Sequence, residues 1–184
     1  MLLTGFSKGC AMKIMQIIDY ATFGEDSFNI AKQCAPYSDI IWFRIKGADV
    51  TEERVELMRE SVPDAFLSLS LDVELAQKYS YDAVQLGVDS DVKSYTDIQI
   101  GYSAHSVEEI MNISADYYTL SPIFYTEKDY EVKPLGLLDI SHIDKEVFAL
   151  GGINTENVSL LKGYSGVAGI SFYKDIEKLR AAFI

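Results

Sequence analysis

Eight short β-rich apolar runs alternate with helical or polar stretches, and no two of them are joined by a hairpin turn. That alternation constrains the fold more than any other feature. Strands without hairpins between them need crossover connections, and crossovers make them parallel. The runs lie at residues 12–18, 39–44, 65–69, 83–86, 97–101, 116–120, 147–150 and 167–170. Helices are expected at 27–34, at 52–60 behind an N-cap at Thr51, at 72–78, after Ser106, at 155–161 and at 175–182. The polar stretch 88–95 offers little reason for a full helix. An open doubly wound sheet and a closed barrel both satisfy this α/β order. The 184 residues suit one domain and are few for a (β/α)8 TIM barrel, so any barrel here needs short helices and loops.

The formal net charge is −12. Such a field repels nucleic acid and acidic membrane surfaces, so neither is an expected partner. An anionic small molecule then needs a local cationic pocket. Cys10 and Cys34 form neither a metal motif nor a disulfide framework, and a reducing cytoplasm is the expected location. No apolar run reaches the roughly 18 residues of a membrane span. Residues 1–11 read as an N-terminal extension, either floppy or the product of an upstream start, with the barrel domain at 12–184. They lack the long apolar core of a signal peptide. The oligomeric state is left open, a homo-oligomer included.

Gly151-Gly152-Ile153-Asn154 directly follows an apolar strand. Paired glycines let the backbone turn sharply and approach a ligand, and a helix start just after them favours an anion. Gly169-Ile170-Ser171 repeats the pattern at the next strand end. In a β/α barrel those two loops often hold a phosphate. Two ordinary tight turns are the bland alternative. On the second strand, Trp42, Arg44 and Lys46 share one face while Ile41, Phe43 and Ile45 share the other, which suits cations at the mouth of a barrel. Ser103 and His105 also share parity, and a histidine at a strand end can move protons near neutral pH. The long loop 121–135 reads as a lid whose Thr126 and Lys128 reach an anion, or else as a solvated loop. His142 lies in a polar loop and reads as inert.

Together these motifs resemble the thiamine phosphate synthase and TenI family of (β/α)8 barrels. Phe43-Arg44-Ile45-Lys46 is similar to the family's R-E-K strand end, and Gly101-Tyr102-Ser103-Ala104-His105-Ser106 to G-x-S-x-H-[ST]. Ala115-Asp116-Tyr117, Ser121-Pro122-Ile123-Phe124-Tyr125-Thr126, Gly136-Leu137 and Gly151-Gly152-Ile153-Asn154 follow in the family's order. The resemblance implies one of two activities. Synthases join a pyrimidine pyrophosphate to a thiazole phosphate with Mg²⁺ and release pyrophosphate. TenI-type proteins bind the thiazole phosphate, and some are tautomerases that shift a proton without a metal. The chain departs from the synthase pattern where metal ligands are expected. Ser70-Leu71 replaces an Asn-Asp pair, Ser90 stands at a carboxylate position, Trp42 replaces a glutamine and Gln85 a histidine. Only Asp72, Asp89 and Asp91 remain nearby as metal candidates.

The resulting expectation is a TenI-like thiazole tautomerase or thiazole-phosphate-binding protein with no cofactor. His105 and Arg44 would be catalytic. Lys46, Ser103, Thr126, Lys128, Gly151, Gly152, Gly169, Ile170 and Ser171 would bind the phosphate ester. One alternative is a Mg²⁺-dependent thiamine phosphate synthase with displaced metal ligands. The other is a non-catalytic module that binds a thiamin intermediate.

Overall fold

In the computed structural model, residues 11–93, 95–126 and 133–183 are described. Apart from Ala11, the expected N-terminal extension lies outside them. Eight parallel strands form the sheet: β1 (Lys13–Asp19), β2 (Ile40–Arg44), β3 (Leu67–Ser70), β4 (Ala83–Leu86), β5 (Gln99–Ala104), β6 (Tyr117–Leu120), β7 (Val147–Leu150) and β8 (Gly166–Gly169). They pair in sequence order and β8 closes on β1, so the sheet is a barrel and not an open doubly wound sheet. Around it lie α1 (Tyr20–Phe23), α2 (Ser27–Cys34), α3 (Glu52–Ser61), α4 (Val73–Lys78), α5 (Val107–Asn112) and α6 (Ile176–Ala181). None is long and apolar enough to cross a membrane.

The helix starts follow local chemistry. Thr51, Asp72 and Ser106 each accept a hydrogen bond from the backbone N–H three residues on, which caps α3, α4 and α5. The Glu109 carboxylate accepts from the His105 N–H at 2.9 Å, one residue before the partner a capping box would use. The expected helix at 155–161 is only a 3-10 turn, Val158–Leu160. Asn154 Oδ1 accepts from the N–H groups of Glu156 and Asn157, and Asn157 Oδ1 accepts from that of Asn154. These side-chain bonds supply an alternative to helical pairing. The fifth strand begins at Gln99 instead of 97, where its pairing with Ala83 starts, and runs to Ala104, where pairing with Leu120 ends.

Alternation along the strands divides the core in two. Ile14, Ile18, Ile41, Phe43, Leu67 and Leu69 face outward and pack with helix residues such as Ala31, Met58 and Ile110. Met15, Ile17, Trp42, Tyr117, Phe148 and Ala168 fill the interior. Glycines stand opposite the largest rings. A Cβ on Gly166 would come within 2.6 Å of the Phe148 ring, and one on Gly101 would run into Tyr117. Those two rings meet edge to face, with centroids 6.0 Å apart. The interior also holds polar side chains, with Ser68, Ser70, Gln85 and Thr119 all buried. Tyr117 donates to Ser68 Oγ at 3.0 Å and Trp42 Nε1 to Ser70 Oγ at 2.9 Å, so both serines are hydrogen-bonded and not merely enclosed.

Candidate active site

A cavity of about 1180 Å³ opens at the C-terminal ends of the strands. This is the face that carries active sites in β/α barrels. Arg44 and Lys46 line it from the end of β2, as the alternation of that strand predicts, and Ser103 and His105 line it from β5. Gly151, Gly152, Gly169, Ile170 and Ser171 form its wall at β7 and β8, and Thr126 joins from the loop after β6. Lys128 lies outside the described residues. The exposed His142 does not line the cavity.

Asp19, Thr22 and Lys174 are among the lining residues that escaped the sequence reading. Asp19 is the informative one. It ends β1 in register with Arg44, is 5% exposed, and forms an ion pair with the Arg44 guanidinium. Thr22 Oγ1 donates to its other carboxylate oxygen at 2.6 Å. Its parity with Ile17 on the inner face was the available signal. Arg44, Lys46 and Lys174 oppose only Asp19 and Asp89 on the wall, so the described part of the cavity is locally cationic in an acidic chain. Partial burial, and next the Arg44 guanidinium, pull the Lys46 ammonium below the usual lysine range.

Replacing Arg44 by Met should therefore destabilise the fold by about 2–3 kcal/mol, because it leaves a buried carboxylate with Thr22 alone. That figure sits below the fully buried range because the guanidinium is partly solvated. Denaturant unfolding checks this: adding Asp19→Asn to Arg44→Met should recover more than half the loss. Equal instability of the single and double variants would contradict it.

The glycine turn after β7 has a reason of its own. Gly151 and Gly152 have φ of 104° and 67°. A Cβ on Gly151 would lie 2.9 Å from Pro122, and one on Gly152 would lie 2.6 Å from the Tyr125 carbonyl oxygen and 2.7 Å from Phe124 Cβ. The close approach is to the loop after β6, which the Ile123 and Phe124 N–H groups tie to the carbonyls of Leu150 and Gly151. On the β8 side, Gln16 sits fully buried on the outer face of β1. Its amide donates to the Ile170 carbonyl at 2.9 Å and the Gly169 carbonyl at 3.3 Å, which holds that turn from behind.

His105 is exposed to the cavity, with Nδ1 3.1 Å from the Ser121 carbonyl oxygen. A carbonyl only accepts, so this contact calls for a proton on Nδ1, and in the neutral ring Nε2 then carries the lone pair that can act as a base. Below it, Gln85 Nε2 donates to Ser103 Oγ at 3.1 Å and to Thr119 Oγ1 at 3.4 Å.

The ends of β3 and β4 are poor in metal ligands. Asp72 caps α4 and does not line the cavity. Asp91 also lies off the wall and pairs with Lys93 at 2.7 Å. Ser90 Oγ accepts from the Gly87 N–H at 3.2 Å. Asp89 is the one carboxylate on this part of the described wall, since Asp19 stands at the end of β1 and is committed to Arg44. Among the described residues no three His, Cys, Asp or Glu side chains gather to hold a metal. This donor set does not fit a Mg²⁺ ion carrying pyrophosphate, for which oxygen ligands, carboxylates above all, are the expected protein contribution.

A family model described as thiamine monophosphate synthase matches residues 14–176. The chain belongs to the thiamine monophosphate synthase and TenI family. Among the family's proteins, the thiamine-phosphate synthase of Pyrococcus horikoshii is 32% identical over 77% of each chain. That of Thermoplasma acidophilum is 34% identical over 65% of this chain and 63% of its own. The match spans only 32–63% of the length of several such relatives. A solved structure of thiamine phosphate pyrophosphorylase from Pyrococcus furiosus superposes with a TM-score of 0.73 at 22% identity, covering 94% of this chain and 93% of that one. At that identity the likeness concerns the barrel.

Proposed function

We propose that this family member binds the thiazole phosphate of thiamin biosynthesis and shifts a proton on it, as a TenI-like tautomerase. The observation that carries this reading is the contrast across one cavity. The β7 and β8 turns, the cations of β2 and His105 line it, while among the described residues the β3 and β4 ends offer Asp89 alone as a carboxylate for the metal ion that a departing pyrophosphate requires. The ester's phosphate would sit at the Gly151–Gly152 and Gly169–Ser171 turns, with Lys46 and Thr126 beside it. His105 Nε2 would take a proton from one ring position and return it at another, so the reaction has no net loss or gain of atoms. Arg44, fixed by Asp19, would face the charge that develops between the two steps.

The names of the relatives favour a second reading, a thiamine-phosphate synthase, at 32% and 34% identity. Two assays on the purified chain separate them. The first reading expects proton shift on the thiazole carboxylate phosphate that survives excess chelator, and no pyrophosphate release from the pyrimidine pyrophosphate and thiazole phosphate with Mg²⁺. The reverse pattern establishes the synthase. Tight binding of the thiazole phosphate with neither turnover would leave a non-catalytic binding module.

A further inference from the structure

The same part of the cavity that is poor in metal ligands is rich in apolar surface. Leu71 is 50% exposed and Val88 63% exposed, and both line the cavity from the ends of β3 and β4. Between and below them lie Leu86 and the Trp42 indole, whose N–H already bonds to Ser70 and so offers the cavity no donor. Scattered exposed hydrophobic residues are normal on any protein. Leu71 differs because its backbone is held at a cost. Its φ is +67°, a region that L-residues with a bulky side chain rarely adopt. Hydrogen bonds fix it there: its N–H donates to the Gln85 carbonyl at 3.0 Å, and the Asp72 N–H closes a tight turn onto the Ser70 carbonyl at 2.9 Å. A half-exposed leucine on strained backbone beside a cavity contributes little to the fold that glycine or asparagine would not, and such strain collects at ligand sites.

We infer that the β3–β4 side is an apolar subsite, which takes an uncharged apolar or aromatic part of the same phosphate ester whose phosphate sits at β7 and β8. In the closed barrel these two sides lie opposite one another, so the ligand spans the mouth. The inference rests on the phosphate reading for the ligand's other end. It narrows the substrate class to phosphate monoesters whose ring-bearing tail presents an apolar face to Leu71 and Val88. A second pyrophosphate-bearing substrate would bring its charge against Leu71 and Val88.

Ethyl phosphate and 2-phenylethyl phosphate test this by calorimetric titration of the full chain, with the Leu and Val methyl groups followed by NMR. The phenyl ester should bind at least ~10-fold tighter, since burying a ring against such a wall removes a large apolar area from water. Only the phenyl ester should shift the Leu71 and Val88 methyl signals. Leu71→Asp should abolish the preference and leave ethyl phosphate binding within twofold; aspartate tolerates the left-handed region better than leucine, so the fold should persist. Leu71→Gly should likewise lose the preference and raise the unfolding midpoint by about 2–4 °C. Equal affinity for the two esters, or a preference that survives Leu71→Asp, would overturn the inference. So would a change of oligomeric state in place of a change of ligand preference. If neither ester binds, the phosphate reading fails, and neutral 2-phenylethanol at millimolar concentration still decides the subsite. Shifts at the Leu71 and Val88 methyls support it, and their absence rules it out.

Discussion

His105→Asn should lower kcat for the proton shift by about 10²–10⁴-fold while KM for the thiazole ester changes little, because general base catalysis is typically worth that much. Among the described residues the side chain meets the wall through the hydrogen bond of Nδ1 to the Ser121 carbonyl. An asparagine amide can donate the same bond, so the local structure has no reason to change. What asparagine lacks is the basic nitrogen on the far side of the ring. The phosphate contacts proposed at β7 and β8 are untouched, which is why the loss should fall on kcat rather than on binding. Steady-state kinetics with the unfolding midpoint as control would check this. Full activity in the variant would remove His105 from the chemistry. A loss confined to KM would make it a binding residue.

Gly152→Ala should destabilise the fold by about 3 kcal/mol, the sum of left-handed strain and the loop displacement that an added methyl forces. At φ +67° an alanine is already strained, and its Cβ would meet the Tyr125 carbonyl oxygen at 2.6 Å, a backbone atom that cannot swing aside. The loop after β6 must therefore move away from the turn. Since Ser121 orients His105 and Thr126 lines the cavity, ligand affinity should fall by at least ~10-fold together with stability. Gly87→Ala is the control. Gly87 also lines the cavity, but a Cβ there would meet nothing within 4 Å and its φ is not positive, so the unfolding free energy should change by less than about 0.5 kcal/mol. A neutral Gly152→Ala would show that the two loops are not tied as tightly as their hydrogen bonds imply.

The fold was legible where one residue type repeats with one period. Alternation in Ile41-Trp42-Phe43-Arg44 separates an outer core face from a cavity face, and the structure divides those residues in the same way. Strand-end glycines, Arg44 and His105 could be read as lining residues for the same reason: parity carries a side chain inward and the strand end exposes it. What stayed hidden depends on distant pairing. Asp19 acquires its partner only through the β1–β2 register, 25 residues away. The helix expected at 155–161 gave way to side-chain bonds between Asn154 and Asn157, which compete at a range periodicity does not sense. Gly151 and Gly152 line the cavity, but the atoms that demand glycine belong to Pro122, Phe124 and Tyr125, and a local reading cannot name them.

Gln16 has a consequence for anyone who wishes to alter this pocket. Its amide bonds the carbonyls of Gly169 and Ile170 at the end of β8, and that of Ile17 on its own strand, yet Gln16 does not line the cavity. Its Oε1 has no hydrogen-bond partner among the described residues, so the grip is one-sided and open to adjustment. If the proposed ester seats at that turn, a change at Gln16 should alter its residence time from the helix side of the barrel, with the chemistry of the pocket wall left as it stands.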